Sequence, residues 1–410
     1  MGKTSSRKII FKRRRINAWK YLKLKNILIV VIIVLSFVAL SSVVSMKLLE
    51  KKAEKSTIKY AKDKEELKDN SSDFIVESNH DEKIQDNQKS DNNNYSENIN
   101  TSMDLMVLGE IMMGGKVTTN LDYNYLMAFK DIYDLTKKAD FTYANLSTNI
   151  TNLDKIEDAK TNYLVTKNIL SAFNALGIDA LSIATDHIAD YPSEIIKNTE
   201  NLLEENSIYV AGKKDMPMYF EKDGKKIAIV STNSVIIGTK ENYTKNGISV
   251  YDEDNIKKNI QEAKKMADFV IVDIHWGKGE SFFGVTTQME EMARYVIDNG
   301  ADLVMGTHAI GIQPISIYNG KPIIYTTGYA MTDLEYETTK MNYLFDLKFE
   351  NTKLSSIEMT PIYIKDSKEV LLYKDYDEVA ANINMKSICS RTQENGLNAG
   401  ISDNKIIVKF

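Results

Sequence analysis

Hydrophobic and polar positions divide the chain into three stretches of different character. Residues 26–46 carry no charged side chain, and 27–40 are almost wholly apolar. About 20 such residues span a bilayer as a helix, so 27–46 is expected to be a transmembrane helix. Residues 47–101 are polar and charged, ending in an Asn/Asp/Ser/Gln-rich run at 81–100. With so little apolar surface to bury, this stretch is expected to be a disordered stalk. From Met103 the pattern changes to short apolar runs alternating with helical periodicity. Strands are expected at 104–108, 141–146, 180–184, 226–230, 269–274 and 303–305. Helices are expected at 125–138, 169–176, 193–205, 255–266 and 288–299. Asp223-Gly224 and Asn319-Gly320 are hairpin signals, and Gly177 is a C-cap signal. Late antiparallel strands are expected at 345–349, 356–364 and 370–373, then a helix at 378–389 and a strand at 406–410. Repeated strand–helix alternation implies an α/β fold.

Charge sharpens this division. The first 26 residues hold ten Lys/Arg and no Asp/Glu, whereas the whole chain has a formal charge of -5. The remaining residues therefore carry about -15. A basic arm at 1–26 before an apolar span keeps the N-terminus in the cytoplasm and exports the rest. The expected localisation is thus the cell membrane, single-pass, with an extracellular C-terminal domain. An acidic exterior argues against nucleic acid as a partner, since phosphate binding needs clustered positive charge. Cys389 is the only cysteine, which excludes an intrachain disulfide and a Cys-rich metal site.

Candidate chemistry lies at the strand exits, where ligands collect in α/β sheets. Successive strands run into Gly109-Glu110, Asn145-Leu146-Ser147, Thr185-Asp186-His187, Asp273-Ile274-His275-Trp276-Gly277 and Gly306-Thr307-His308. Three of the four histidines occupy such exits. Each residue alone has an ordinary structural explanation, such as a cap or a core hydrogen bond. Together they form a nitrogen-and-oxygen ligand set suited to a divalent metal.

The order of these blocks resembles the CapA family, the capsule or poly-γ-glutamate synthesis proteins with a calcineurin-like metallophosphatase fold. The stretches that carry the resemblance are Gly109-Glu-Ile-Met-Met113, Ala144-Asn-Leu-Ser147 and Thr185-Asp-His187 with Asp190. They continue as His275-Trp-Gly-Lys-Gly-Glu280, Gly306-Thr-His-Ala-Ile-Gly-Ile-Gln313 and Gly320-Lys-Pro-Ile-Ile-Tyr-Thr-Thr-Gly-Tyr329. The resemblance spans roughly 103–335. It implies a metallophosphatase-like layered sandwich, central β-sheets flanked by helices, over 102–365, with 366–410 as a C-terminal extension packed on it. Several positions depart from the family pattern. Glu110 stands for its first metal Asp, Ser147 for a carboxylate, Ile310 for a histidine and Tyr329 for an asparagine. Asp186 replaces an asparagine and keeps a ligand oxygen.

The depleted set implies at most one divalent metal ion, held by Glu110, Asp186, His275 and His308. The resemblance assigns catalysis, if retained, to His187 and His275, and substrate contacts to Asn145, Trp276, Glu280 and Gln313. Two functions follow as expectations. One is a membrane-anchored extracellular component that assembles, anchors or exports a surface polymer, with the polymer or its synthase complex as partner. The other is a metal-dependent hydrolase with a reduced mononuclear site.

Overall fold

Strands ending in polar residues, and the helices that connect them, position the candidate site. The computed structural model describes residues 102–156, 163–277 and 284–410, all within a unit that runs from Asn94 to Phe410. The expected basic arm, membrane span and stalk at 1–101 lie outside the described residues. Among the described residues, no helix is long and apolar enough to cross a membrane.

The strands are β1 Ser102–Ile111, β2 Phe141–Leu146, β3 Asn149–Thr151, β4 Leu164–Thr166, β5 Ala180–Ser182 and β6 Tyr209–Ala211. They continue with β7 Met218–Lys222, β8 Lys225–Asn233, β9 Phe269–His275, β10 Leu303–Thr307, β11 Ser316–Tyr318 and β12 Lys321–Ile324. The last are β13 Tyr329–Met331, β14 Met341–Glu350, β15 Lys353–Lys365, β16 Glu369–Leu372, β17 Asn398–Ser402 and β18 Lys405–Lys409. The longer helices are α1 Ile169–Leu176, α2 Ser193–Glu205, α3 Glu253–Met266, α4 Thr287–Asp298 and α5 Tyr373–Glu394.

Two sheets hold most of the strands. The larger runs β17-β18-β15-β14-β1-β2-β5-β6, with β13 added to β1 and β16 to β15. The smaller runs β11-β12-β10-β9-β8-β7. In both, the strands that end in candidate residues are parallel: β1-β2-β5 in one, β8-β9-β10 in the other. The hairpin turns form as expected, with Asp223 and Asn319 at φ 50 and 48.

Alternation along each strand decides the layering. Val107, Tyr143 and Phe345 of the larger sheet meet Ile229, Ile271 and Met305 of the smaller in one buried cluster. Leu108 and Leu146 point the other way and pack with Phe173 of α1 and Leu203 of α2. Val272 and Val304 likewise point outward, against Ile260 of α3 and Met292 of α4. The result is a mixed α/β sandwich of two sheets flanked by helices. Local signals end its helices. Gly177 closes α1 in the left-handed conformation at φ 67. Asp252 caps α3 by accepting from the Asn255 N–H, a contact worth about 1 kcal/mol.

The helix expected over 125–138 is broken. Tyr125–Phe129 forms a 3₁₀ turn and Tyr133–Thr136 a single α-turn. Between them the Ile132 N–H bonds the Phe129 carbonyl, a tight turn that brings both Phe129 and Ile132 into the core. The C-terminal residues do not stand apart from the larger sheet. β18 pairs with β15, and Cys389 of α5 is buried in the inter-sheet cluster.

Candidate metal centre

The inward-facing rows change character toward the carboxyl ends of the strands. Apolar residues give way to Asn145, Ser182, Ser231 and Asp273, and then to Glu110, Asn233, His275 and Thr307, all buried. Asp273 and His275 share the inward face with Ile271 because strand side chains repeat every second residue.

Glu110 reaches that face through a bulge. Strict alternation after Val107 would turn it outward. The register instead slips between Val107↔Tyr143 and Glu110↔Asn145, so β1 carries one residue more than β2 there. Gly109 makes the slip possible. Its φ is 85, and a Cβ on it would lie 2.6 Å from the Gly328 carbonyl oxygen. Glu110 is fully buried, and neither carboxylate oxygen has a hydrogen-bond partner.

Asp186 is the hub. It follows β5, and its Oδ1 accepts the His187 N–H at 2.9 Å. His275 Nε2 stands 3.2 Å from Oδ1 and His308 Nε2 3.4 Å from Oδ2. Ligand atoms of these three residues all lie within 4.8 Å of one another. His275 Nδ1 faces Thr307 Oγ1 at 3.1 Å. His308 Nδ1 lies 3.2 Å from the Trp276 carbonyl, which only accepts, so that nitrogen carries a proton and Nε2 faces Asp186. His308 adopts φ 72, a left-handed conformation that costs about 1 kcal/mol for a residue with a side chain. Such strain is typical of functional sites.

Electrostatics follow the geometry. Burial alone would raise the Asp186 pKa, but the facing imidazoles of His275 and His308 and the charge of His187 hold it well below the usual carboxylate range. Burial disfavours the charged form of His308. Asp186 and then Glu110 outweigh it and push the pKa up to about 9. His187 is also shifted upward: burial opposes its charge, and Asp190, Asp186 and Glu110 favour it. Glu110 is thus electrically part of the site, although it is not one of the three converged residues.

His187 occupies the rim. Its Nδ1 is 2.7 Å from Asp190 Oδ2, its Nε2 is 3.6 Å from Asp186 Oδ2, and its ring packs 4.2 Å from that of Tyr163. A partly exposed imidazole oriented by a carboxylate can donate or accept a proton at Nε2.

The residues expected to contact substrate are placed differently. Trp276 is 1% exposed. Its Nε1 donates to the Tyr325 carbonyl at 2.9 Å, and its indole fills the space over Gly306, where a Cβ would collide. It is a core side chain, packed beneath the smaller sheet's helices, and offers no platform to a ligand. Gln313 is buried and donates to the Gly311 carbonyl, which folds the loop after His308. Asn145 is buried within the crevice, not open at its surface. Glu280 lies outside the described residues. Tyr329 is buried, and its hydroxyl donates to the His308 carbonyl at 3.3 Å.

Sequence reasoning named Asp273, Asp190 and Thr307 within its blocks without giving them a role, and it did not name Tyr163. Asp273 had a signal. It is the one acidic residue in an otherwise apolar strand, two positions before His275 and so on its face. Tyr163 had none, because it reaches His187 only through the fold.

Acceptors without donors are what a cation site looks like before the cation arrives. Glu110 Oε1 and Oε2, Asn145 Oδ1 and Asp273 Oδ1 are all buried and without a hydrogen-bond partner. Each would cost roughly 1–3 kcal/mol if nothing compensated it. The donor set of Asp186, His275 and His308, with Glu110 nearby, fits one divalent metal ion with mixed nitrogen and oxygen ligation.

Comparison with known proteins adds kinship to this geometry. Residues 104–333 match the family described as bacterial capsule synthesis protein PGA_cap. The PGA biosynthesis protein CapA of Bacillus subtilis (strain 168) is 26% identical over 287 residues, covering 65% of this chain and 73% of that protein. The capsule biosynthesis protein CapA of Bacillus anthracis is 24% identical over 284 residues, covering 64% and 68%. A hypothetical protein from Thermus thermophilus, of known crystal structure, aligns at TM-score 0.42 and 15% identity, covering 64% of this chain and all of that one.

Proposed function

The chain belongs to the bacterial capsule synthesis protein PGA_cap family, and from that premise we propose that it acts in capsule or poly-γ-glutamate biosynthesis. In this reading it is a membrane-anchored extracellular component, held by a helix at 27–46, whose crevice binds one divalent metal ion. The observation that carries the reading is the convergence of Asp186, His275 and His308 from three separate strand exits. All three lie inside the segment that matches the family.

Asp186, His275 and His308 would hold the metal, with Glu110 adding charge. A bound divalent ion supplies Lewis acidity toward a carbonyl or phosphoryl oxygen. The protein's own contribution is orientation. Thr307 and the Trp276 carbonyl fix the two imidazoles, and Asp190 fixes His187 at the rim. Such outer partners set ring orientation and ligand basicity.

A second reading, a metal-dependent hydrolase of phosphodiester or amide bonds, is favoured by one further observation. The Asp190–His187 pair stands beside the convergence point with His187 Nε2 directed at it. His187 would then move a proton to or from the reacting group.

The test combines two assays. Deletion of the chain in a producing cell should reduce surface polymer, and complementation with H308A should fail to restore it. Metal analysis of the purified chain, alongside turnover assays on phosphodiester and poly-γ-glutamyl substrates, separates the two readings. Bound metal without turnover supports the non-catalytic component. Turnover abolished by H187A supports the hydrolase. Full polymer in the deletion strain would overturn the biosynthetic role.

A further inference from the structure

Between the inter-sheet core and the crevice lies a polar network centred on Asp273. Asp273 is fully buried, and its Oδ2 accepts three hydrogen bonds. They come from Tyr143 Oη at 2.6 Å, Asn145 Nδ2 at 2.7 Å and Ser231 Oγ at 3.0 Å. Ser231 Oγ in turn lies 2.6 Å from Ser182 Oγ. The network ties β2 and β5 of one sheet to β8 and β9 of the other.

Its consequence falls on Asn145. An amide has one end that donates and one that accepts. A carboxylate facing it accepts only, so Nδ2 must turn to Asp273 and Oδ1 must turn away. That Oδ1 is buried and has no partner. Asn145 sits opposite Glu110 in the register, on the face that the bulge at Gly109 restores. Neighbouring strands lie about 4.8 Å apart, so Asn145 and Glu110, each with orphaned side-chain oxygen, stand side by side on that face. A buried amide oxygen left bare costs about 1–3 kcal/mol. Rotating the amide would not relieve that cost, because it would set oxygen against oxygen at Asp273.

We propose that Asn145 Oδ1 is a further, neutral ligand of the divalent metal centre, and that Asp273 is the positioning residue that holds the amide with its oxygen toward the metal. The proposal rests on the metal-binding reading of the crevice. Neutral amide oxygens are ordinary ligands for hard divalent cations. Here the amide supplies oxygen on β2, two residues before Ser147, which brings only a hydroxyl. In this proposal Asp273 acts through Asn145, which its Oδ2 holds at 2.7 Å. The Tyr143 hydroxyl keeps its proton, because burial and then the Asp273 charge push its pKa far up, so it remains a donor to the same carboxylate.

The test is calorimetric titration of the full chain with Mn²⁺ and with Zn²⁺, with thermal unfolding of each metal-free variant alongside. Outer-shell partners of metal ligands are typically worth 10–100-fold in affinity. N145A and D273A should each weaken metal binding by about 10–100-fold. The double variant should be no weaker than N145A by more than about twofold, since residues acting as one unit are non-additive. The exchange variant N145D/D273N keeps the hydrogen bond between positions 145 and 273 with donor and acceptor reversed, and leaves the Tyr143 and Ser231 hydroxyls to turn. It should restore affinity to within about tenfold of the original, which a merely structural role would not do. If D273A fails to fold, N145A and the exchange variant decide the matter. Metal binding by the original chain that N145A and D273A leave unchanged overturns this proposal and spares the metal reading. Equal losses that the exchange does not rescue also overturn it. No metal binding by the original chain overturns both.

Discussion

The two ends of the parallel strands treat their polar groups in opposite ways. At the amino ends, four aspartates each sit just before a strand and accept a backbone N–H of the neighbouring strand. Asp140 accepts from Asp104, Asp179 from Thr142, Asp268 from Lys226 and Asp302 from Val270, at 2.8–3.0 Å. Lysines complete two of them. Asp302 also receives Lys264 and Lys321, both at 2.8 Å, and Asp140 receives Lys222 at 2.7 Å. At the carboxyl ends, Glu110, Asn145 and Asp273 keep buried oxygens with no hydrogen-bond partner. The same residue types serve stability at one edge and are held ready for a ligand at the other. The difference is the direction of the chain. Leading residues can cap their neighbour's ladder, whereas strand exits open into a crevice between the sheets.

Four substitutions or conditions would break or sharpen that contrast. The largest effect is expected from D186A, which removes the hub of the carboxyl-end cluster. Metal affinity should fall by at least about 100-fold in a Mn²⁺ titration, exceeding the loss typical of an outer-shell residue. D302A at the amino end should do the reverse. It leaves two lysines and the Val270 N–H without their acceptor, costing about 2 kcal/mol in denaturant unfolding while metal affinity stays unchanged. A stability loss in D186A as large as that in D302A, with metal affinity intact, would erase the contrast.

The third is pH. The His308 pKa is raised from 6.5 to about 9 in the metal-free protein. The protonated form therefore stabilises the metal-free fold fully below pH 6.5, and this is lost as pH rises through about 9. Metal binding needs the proton gone. Metal affinity should rise about tenfold per pH unit across that window, while metal-free stability falls. A titration flat between pH 6.5 and 9 would remove His308 from the ligand set.

The smallest effect is expected from E110Q. A neutral amide in place of a buried, unpartnered carboxylate should leave the metal-free melting temperature unchanged or slightly raised, because desolvating a charge costs more than desolvating an amide. Metal affinity should fall about tenfold. A marked drop in metal-free stability would mean that Glu110 has a structural partner.

Much of the architecture was legible along the chain because it follows from local rules. The apolar run of β9, the Gly177 cap on α1 and the Asp223-Gly224 turn form as their residue types require. Tyr125–Thr136 was not legible, because the core draws in both Phe129 and Ile132 and overrides the helical period. In the candidate site, Asp186, His275 and His308 were legible as strand-exit residues. Trp276 and Gln313 turn into buried positions and bond the Tyr325 and Gly311 carbonyls, because adjacency in sequence to a ligand says nothing about which way a side chain turns.

What the sequence alone determined is therefore periodic and local: which segments become strands, where they end, and that histidines and carboxylates stand at those ends. Its family blocks also determined kinship. Only the tertiary structure decided which of those residues meet. One extra residue at Gly109 carries Glu110 from the outer face to the inner one, and that slip exists only relative to β2. Asp273 became a neighbour of Asn145 because two sheets, far apart along the chain, bury a common face. Register and sheet packing are relations between segments, set by burial over the whole core, and no single segment encodes them.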